Sequence, residues 1–222
     1  MDIRVLSTSP MSGEINMEVD VVLSERAARD GEVQLRFFRW SEPTVTVGRT
    51  VPPEKSAAAA VLFGGARVVR RPTGGGVVFH GSEMSLSISW PRSATALLGG
   101  LRGSYCSIQR AICDALKDCG INCFQAECGD SPAGLMCQSS IVAGDVISPA
   151  GTKLAGGAQW HGREAVLYQG HLWLRALPAL EEVVAVRVAD CFQASVRRDS
   201  LTQEELCIAA ERCDRWCGQG GL

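Results

Sequence analysis

The absences in this 222-residue chain narrow its class first. It has no stretch of eighteen or more consecutive apolar residues, so nothing in it reads as a helical membrane span. Its first residues, Met1-Asp2-Ile3-Arg4, lack the apolar core of a secretory leader. The expectation is a soluble protein of the cytoplasm that does not engage membranes. A field of one sign is also missing: 22 Lys and Arg face 24 Asp and Glu, the formal net charge is -2, and the basic residues are scattered. Generic nucleic-acid binding, which draws on clustered Lys and Arg, is disfavoured. Cysteine is plentiful at ten residues, yet no Cys-x-x-Cys pair occurs and no histidine falls at zinc-finger spacing. With no export signal, these thiols are expected to stay reduced and most of them to pack as small core hydrophobes on helices, with no metal bound. No internal repeat or low-complexity segment is visible.

What is present fits one domain over residues 1–222, long enough to bury a good core. Ile15, Val19, Val22, Leu23 and Ala27 recur at helical spacing and predict an amphipathic helix over 14–29, stopped at Asp30-Gly31. Strands are expected at 35–40 and 45–47 around the Ser41-Glu42-Pro43 turn, and an Ala-rich helix opens at Pro52-Pro53-Glu54 and stops at Gly64-Gly65. Residues 84–90 alternate apolar and polar, the pattern of a half-buried strand. A helix over 103–118 and strands at 121–124, 141–147, 153–160 and 165–174 follow, then a short helix after Pro178 and a final one over 202–217, where Thr202 and Glu205 suit a capping box. Helices and strands mix without regular βαβ alternation, so the predicted class is α+β.

Two glycine clusters carry the chemistry. In Arg70-Arg71-Pro72-Thr73-Gly74-Gly75-Gly76-Val77-Val78-Phe79-His80, two guanidinium groups lead into three glycines between strand-forming segments. Gly74 to Gly76 can take positive φ and let a ligand lie against bare backbone, with the arginines as planar donors beside it. A plain Gly-rich hairpin is the other reading. Downstream come Lys153-Leu154-Ala155-Gly156-Gly157-Ala158-Gln159 and Tyr168-Gln169-Gly170-His171-Leu172. A lysine near glycine-lined backbone and two arginines suits an acidic or acyl-activated ligand, whose charge it neutralises or whose carbonyl it polarises. The plainer reading is a solvated lysine on a hairpin.

Taken together, these segments resemble the lipoate-protein ligase and octanoyltransferase branch of the biotin/lipoyl ligase superfamily. Asn16-Met17-Glu18-Val19-Asp20 is similar to the family's first-helix signature, and Leu35 to Arg49 to the strand pair after it. The resemblance runs in the family's order from about residue 16 to residue 173. It implies mixed, largely antiparallel sheets flanked by helices, in a catalytic domain without an accessory C-terminal domain.

By the same resemblance, the activity is transfer of an octanoyl or lipoyl group onto a lysine of a lipoyl domain. In the octanoyltransferase branch a cysteine ahead of the motif lysine holds the acyl chain as a thioester. Cys137 stands sixteen positions before Lys153, with the acidic Asp145 between them as in that branch. Thioester exchange is close to neutral in energy and a thiolate near a lysine attacks readily. The implied catalytic residues are Cys137 and Lys153. Arg70, Arg71, Thr73, Gly74, Gly75, Gly76, Val77 and His80 would bind substrate from the first cluster. Gly156, Gly157, Ala158, Gln169, Gly170 and His171 would do so from the second. His80 is either a general base or a ring bonded to backbone, and His171 replaces the small hydroxyl residue usual in the family. An acyl carrier protein would be the donor; the acceptor would be the glycine-cleavage H protein or a dehydrogenase E2 subunit. No cofactor is needed in this reading. The rival is an ATP-dependent lipoate ligase working through lipoyl-adenylate, with ATP and Mg; a biotin ligase fits less well, because its Arg-Gly-rich loop differs. A non-catalytic lipoyl- or acyl-binding protein is the third reading.

Overall fold

Ser12 begins the first long element: its hydroxyl accepts the Ile15 N–H at 3.4 Å, and Gly31, at φ 72°, closes the far end by returning its N–H to the Ala27 carbonyl. Between these caps runs α1, Gly13–Asp30, preceded by β1, Asp2–Ser7. Next come β2 (Val33–Phe38), β3 (Thr44–Val47), α2 (Pro53–Leu62), β4 (Arg67–Arg70), β5 (Val77–His80) and β6 (Met84–Pro91). A 3-10 turn at Arg92–Leu98 leads to α3 (Gly100–Asp118), β7 (Phe124–Gln125), β8 (Val146–Ile147), β9 (Lys153–His161) and β10 (Ala165–Leu172). The chain then forms α4 (Leu180–Phe192), β11 (Ser195–Asp199), α5 (Gln203–Arg212) and a 3-10 turn at Cys213–Trp216. This computed structural model describes residues 1–127, 140–174, 177 and 179–217.

Among the described residues, eight strands form one sheet in the order β11-β1-β2-β6-β10-β9-β8-β7, and β4-β3-β5 form a second. β1 is parallel to both β11 and β2; from β2 through β7 the large sheet is antiparallel. The α+β class with antiparallel-rich sheets flanked by helices is therefore what the chain adopts. None of the described helices is long and apolar enough to cross a membrane.

One face of the large sheet is apolar. Leu86, Ile88 and Trp90 of β6 pack there with Ile108 and Ile112 of α3 and Val184 and Val188 of α4. The opposite face is polar and equally buried. β6 is covered on both sides along its whole length, so the half-buried expectation fails. The reason is α1, whose polar residues reach into that face: Asp20 accepts from Ser87 at 2.6 Å and from Arg36 at 2.9 Å, with all three side chains buried. α1 is itself enclosed rather than amphipathic, because the chain beyond α5 folds over it. Glu18, with no exposed side-chain surface, takes Arg215 at 2.7 Å and the Trp216 indole N–H at 2.6 Å.

Other departures have local causes. The strand expected at 141–147 shrinks to β8, because Asp145 turns its carboxylate back onto the Val142 N–H at 2.8 Å and Gly144 sits at φ 94°. The strand expected at 121–124 is reduced to β7. The helix after Pro178 is α4, thirteen residues long, and the capping box of Thr202 with Glu205 forms. β1 and β11 were not expected: the alternation of Ile3, Arg4 and Val5 in β1 is only a few residues long, and Val196 is the one apolar residue of β11. Of the eight cysteines described, Cys113 and Cys123 alone are buried; Cys106 and Cys207 are exposed, against the expectation of core thiols.

Candidate active site

Lys153 opens β9 and its ammonium is almost fully buried, at 7 % residue exposure. A charge placed there needs a partner. Asp145 supplies one at 2.7 Å and the Ser140 carbonyl a second contact at 3.0 Å, while the Trp173 ring centroid lies 5.5 Å from Nζ. Asp145 is itself fully buried and also accepts the Tyr105 hydroxyl at 2.6 Å. Burial, with the Tyr168 and Asp145 oxygens adding to it, pushes the Tyr105 phenol well above its ordinary range, so it stays a donor. The Gly157 N–H and the Gln109 amide donate in turn to the Tyr105 oxygen, at 3.3 and 2.9 Å. Gly156 makes room for this arrangement: a Cβ there would stand 2.3 Å from Lys153 Cε.

Opposite stands the loop between β4 and β5. Of its three glycines, Gly75 alone takes positive φ, at 87°. Arg71 organises the turn from inside, giving its guanidinium to the Gly74 carbonyl at 2.7 Å, the Gly76 carbonyl at 3.0 Å and the Thr46 carbonyl at 3.2 Å. Arg70 points elsewhere; one of its nitrogens donates to the carbonyls of Gly48, Arg49 and Val51 and braces that neighbouring loop.

Between the two clusters lies a cavity of about 240 Å³. Arg71, Gly75, Gly76 and Val78 form one wall. Lys153, Gly156, Gly157, Ala158 and His171 form the other, with Ser140, Val142 and Trp173 completing it. The remaining residues singled out in the sequence stand around this space without lining it. Thr73 donates to Gln169 at 2.8 Å, and Gln169 donates to Asp20 at 2.7 Å, which ties the glycine loop to α1 behind the cavity. Val77 packs with Val45 and Val47 in the small sheet's own core, and Gly170 lies in β10 opposite Gly157. Gly74 contributes its carbonyl to Arg71. Cys137 lies outside the described residues.

Both histidines are neutral at ordinary pH. Burial, then the neighbouring His171 and the Arg71 charge, lowers His80 well below the usual imidazole range. His171 is pushed down to about 3 by burial and by the charges of Arg71 and Lys153. His80 stacks on Trp40 at 4.0 Å and its Nε2 meets the Thr46 hydroxyl at 2.8 Å, so it bonds to a side chain rather than to backbone.

Sequence reasoning missed Tyr105, Trp173 and Ser140, and it noted Asp145 without its partner. One signal was available: a lysine buried among glycines demands a nearby carboxylate, and Asp145 stands alone in an apolar stretch.

A buried Lys-Asp pair facing an arginine-held glycine loop across a cavity sits on the fold of the lipoate-protein ligases. The chain superposes on a lipoate-protein ligase A bound with ATP with a TM-score of 0.75, over 97% of this chain and 95% of that one, at 16% identity. A bi-partite lipoate protein ligase solved with its E2 lipoyl domain, from Thermoplasma acidophilum, gives a TM-score of 0.70 over 96% and 92% at 17% identity. At such identities the likeness establishes the fold. Residues 12–202 match the model of the lipoyl protein ligase A/B catalytic domain, and the chain belongs to that family. Its curated relatives include octanoyltransferase LipM of Kyrpidia tusciae, 28% identical over 98% of this chain and 85% of the relative. Another is octanoyltransferase LipM of Moorella thermoacetica, 29% identical over 77% of this chain and 64% of that protein, so the match spans under two thirds of the Moorella enzyme.

Proposed function

We propose that this chain is an octanoyltransferase of protein lipoylation, a single catalytic domain acting in the cytoplasm, with Cys137 as acyl carrier and Lys153 as the group that steadies the reacting carbonyl. The observation that supports it most directly is the buried Lys153 ammonium, held by Asp145 at the wall of a cavity whose other wall is the Arg71 loop. Ser140 lines that cavity three positions after Cys137, and three residues of chain reach at most about 11 Å. Relatives named octanoyltransferase support the choice of reaction.

In the first step the Cys137 thiolate attacks the thioester carbonyl of octanoyl-acyl carrier protein. A new C–S bond forms, the carrier's C–S bond breaks, and the carrier sulfur leaves as a thiolate that takes up a proton from water. In the second, the neutral amine of a lipoyl-domain lysine attacks the enzyme thioester; an amide forms, the amine's proton is lost, and Cys137 returns as thiolate. Each tetrahedral intermediate places negative charge on the carbonyl oxygen, which the Lys153 ammonium stabilises from its fixed position. The acyl tail occupies the cavity, each buried methylene contributing about 0.8 kcal/mol. The acceptor is the lipoyl domain of an H protein or an E2 subunit, and the transfer needs no cofactor.

The ligase reading rests on the fold likeness to an enzyme solved with ATP. Mixing the protein with octanoyl-acyl carrier protein separates the readings. The transferase gives an octanoyl adduct on Cys137 by mass spectrometry, and Cys137→Ser abolishes transfer to a lipoyl domain. Full modification by Cys137→Ser with ATP, Mg and lipoate establishes the ligase instead. Acyl binding with neither reaction identifies a binding protein.

A further inference from the structure

We propose that His80, Glu83 and His171 form a binding site for a divalent transition-metal ion, clipping the small sheet to the large one beside the acyl cavity. The cysteine spacing gave no hint of it, and it does not depend on the transferase reading.

The three residues come from separate places in the fold. His80 ends β5 in the small sheet, Glu83 lies in the turn before β6, and His171 sits in β10 of the large sheet. One donor atom from each lies within 4.8 Å of the others. Glu83 Oε1 is 3.4 Å from His171 Nε2 and 3.9 Å from His80 Nδ1. A tetrahedral zinc ion with ligands at about 2.0–2.2 Å holds its donors roughly 3.3–3.6 Å apart, so the two Glu83 distances nearly fit already and the widest spacing must close by up to about 1.2 Å to seat an ion.

Two of the donors point into this space with nothing else to bond. His80 Nδ1 and His171 Nε2 are buried and have no hydrogen-bond partner among the described residues, and each histidine is 5 % exposed. Leaving a buried polar atom unmet costs about 1–3 kcal/mol, and an ion would satisfy both at once. The far nitrogens are already held, as metal-binding imidazoles require. His80 Nε2 meets Thr46 Oγ1 at 2.8 Å and His171 Nδ1 meets Ser85 Oγ at 3.3 Å. Those hydroxyl oxygens accept from Arg71 and from the Trp40 indole, and each has room for the imidazole N–H as a second donor. That tautomer turns each ring's lone pair toward Glu83. The Gly81 N–H, at 2.7 Å, anchors the carboxylate.

Electrostatics selects the kind of ion. Arg71 and Lys153 are close enough to oppose a cation, though Asp145 offsets the lysine. Hard ions bound through charge alone are therefore disfavoured, while two neutral imidazoles and one carboxylate suit Zn²⁺, Co²⁺, Ni²⁺ or Cu²⁺. The Glu83 side chain, 21 % exposed, leaves the solvent side open for entry. Because His171 also lines the cavity, a bound ion would fix that wall.

The test is titration of the full, reduced chain with Co²⁺ after chelator treatment. One equivalent should bind with the visible bands of a low-coordinate nitrogen and oxygen site and without the near-ultraviolet thiolate charge-transfer band that binding to cysteines would give. Zn²⁺ should displace the Co²⁺ and raise the melting temperature. Glu83→Gln, in a partly exposed turn, and His171→Gln should each weaken binding tenfold or more while circular dichroism reports an intact fold. Absence of saturable binding, a thiolate band, or affinity within twofold of the parent in Glu83→Gln overturns the proposal. Octanoyl transfer, assayed separately, is untouched as evidence by any of these outcomes.

Discussion

In the loop after Arg71, Gly75 takes a backbone angle of 87°, and the carbonyls of Gly74 and Gly76 on either side are gathered by one guanidinium. In β9, Gly156 keeps its place in a regular ladder opposite His171 and serves by having no Cβ, since Lys153 Cε fills the space where one would stand. The first cluster thus uses glycine for conformation and the second for volume. Both read as Gly-Gly in sequence. The lesson is that glycine near a cavity need not bare its backbone to the ligand; here it first accommodates the protein's own arginine and lysine.

The strongest test of this contrast is to remove the side chain that the second cluster accommodates. Lys153→Met should lower kcat by on the order of 10²–10³-fold, the effect of losing one oxyanion donor. It should also cost about 3–5 kcal/mol of stability, because Asp145 is left buried and unpaired. Adding Asp145→Asn should restore much of that stability in a denaturant melt and none of the turnover. Recovered turnover in the double variant would remove Lys153 from the chemistry.

Gly156→Ala is the next largest. The added methyl collides with the lysine stem, so stability should fall by about 1–3 kcal/mol, and displacement of the ammonium should slow turnover by up to about 10²-fold. Gly75→Ala should be milder, at about 1–2 kcal/mol, since it strains one left-handed residue without touching Lys153. A KM effect larger than the kcat effect would match its place in the cavity wall. Equal losses of turnover in the two alanine variants would erase the distinction between the clusters.

Much of the frame was legible because its signals are local. The caps at Gly31 and at Thr202 with Glu205, and the apolar stripe of α3, are written within a few residues of where they act. What was hidden depends on partners far away in the chain. Ser85, Ser87 and Ser89 read as a solvent face, yet Asp20, Trp40 and their neighbours cover them. The site divides the same way: both glycine clusters announce themselves, whereas Tyr105 joins Lys153 only because α3 packs against β9. The lone acidic residue before Lys153 carried no clue that its carboxylate would also fold back on Val142.

The smallest expected effect lies away from both clusters and calibrates them. Glu205 is opposed by its burial but held down to about 2 by Arg4, the Thr202 N–H and Arg26. A carboxylate lowered in the folded state adds stability that is complete above its unfolded value of about 4.3 and is lost as pH falls toward 2. Acid melts between those limits should show this loss in the parent and a flatter profile in Glu205→Gln, with Gly75→Ala keeping the parent's slope.

Arg4 has no exposed surface, and the carboxylate it meets at 2.7 Å on Asp199 is 195 positions further along the chain. β1 and β11 lie side by side in parallel, so the edge of the large sheet is sewn by segments that a ribosome produces at widely separated times. Until the later segment arrives, a guanidinium destined for the interior has nowhere to go but water. The border of the sheet therefore cannot close before β11 has been made, and until then a nascent chain waits with that side open.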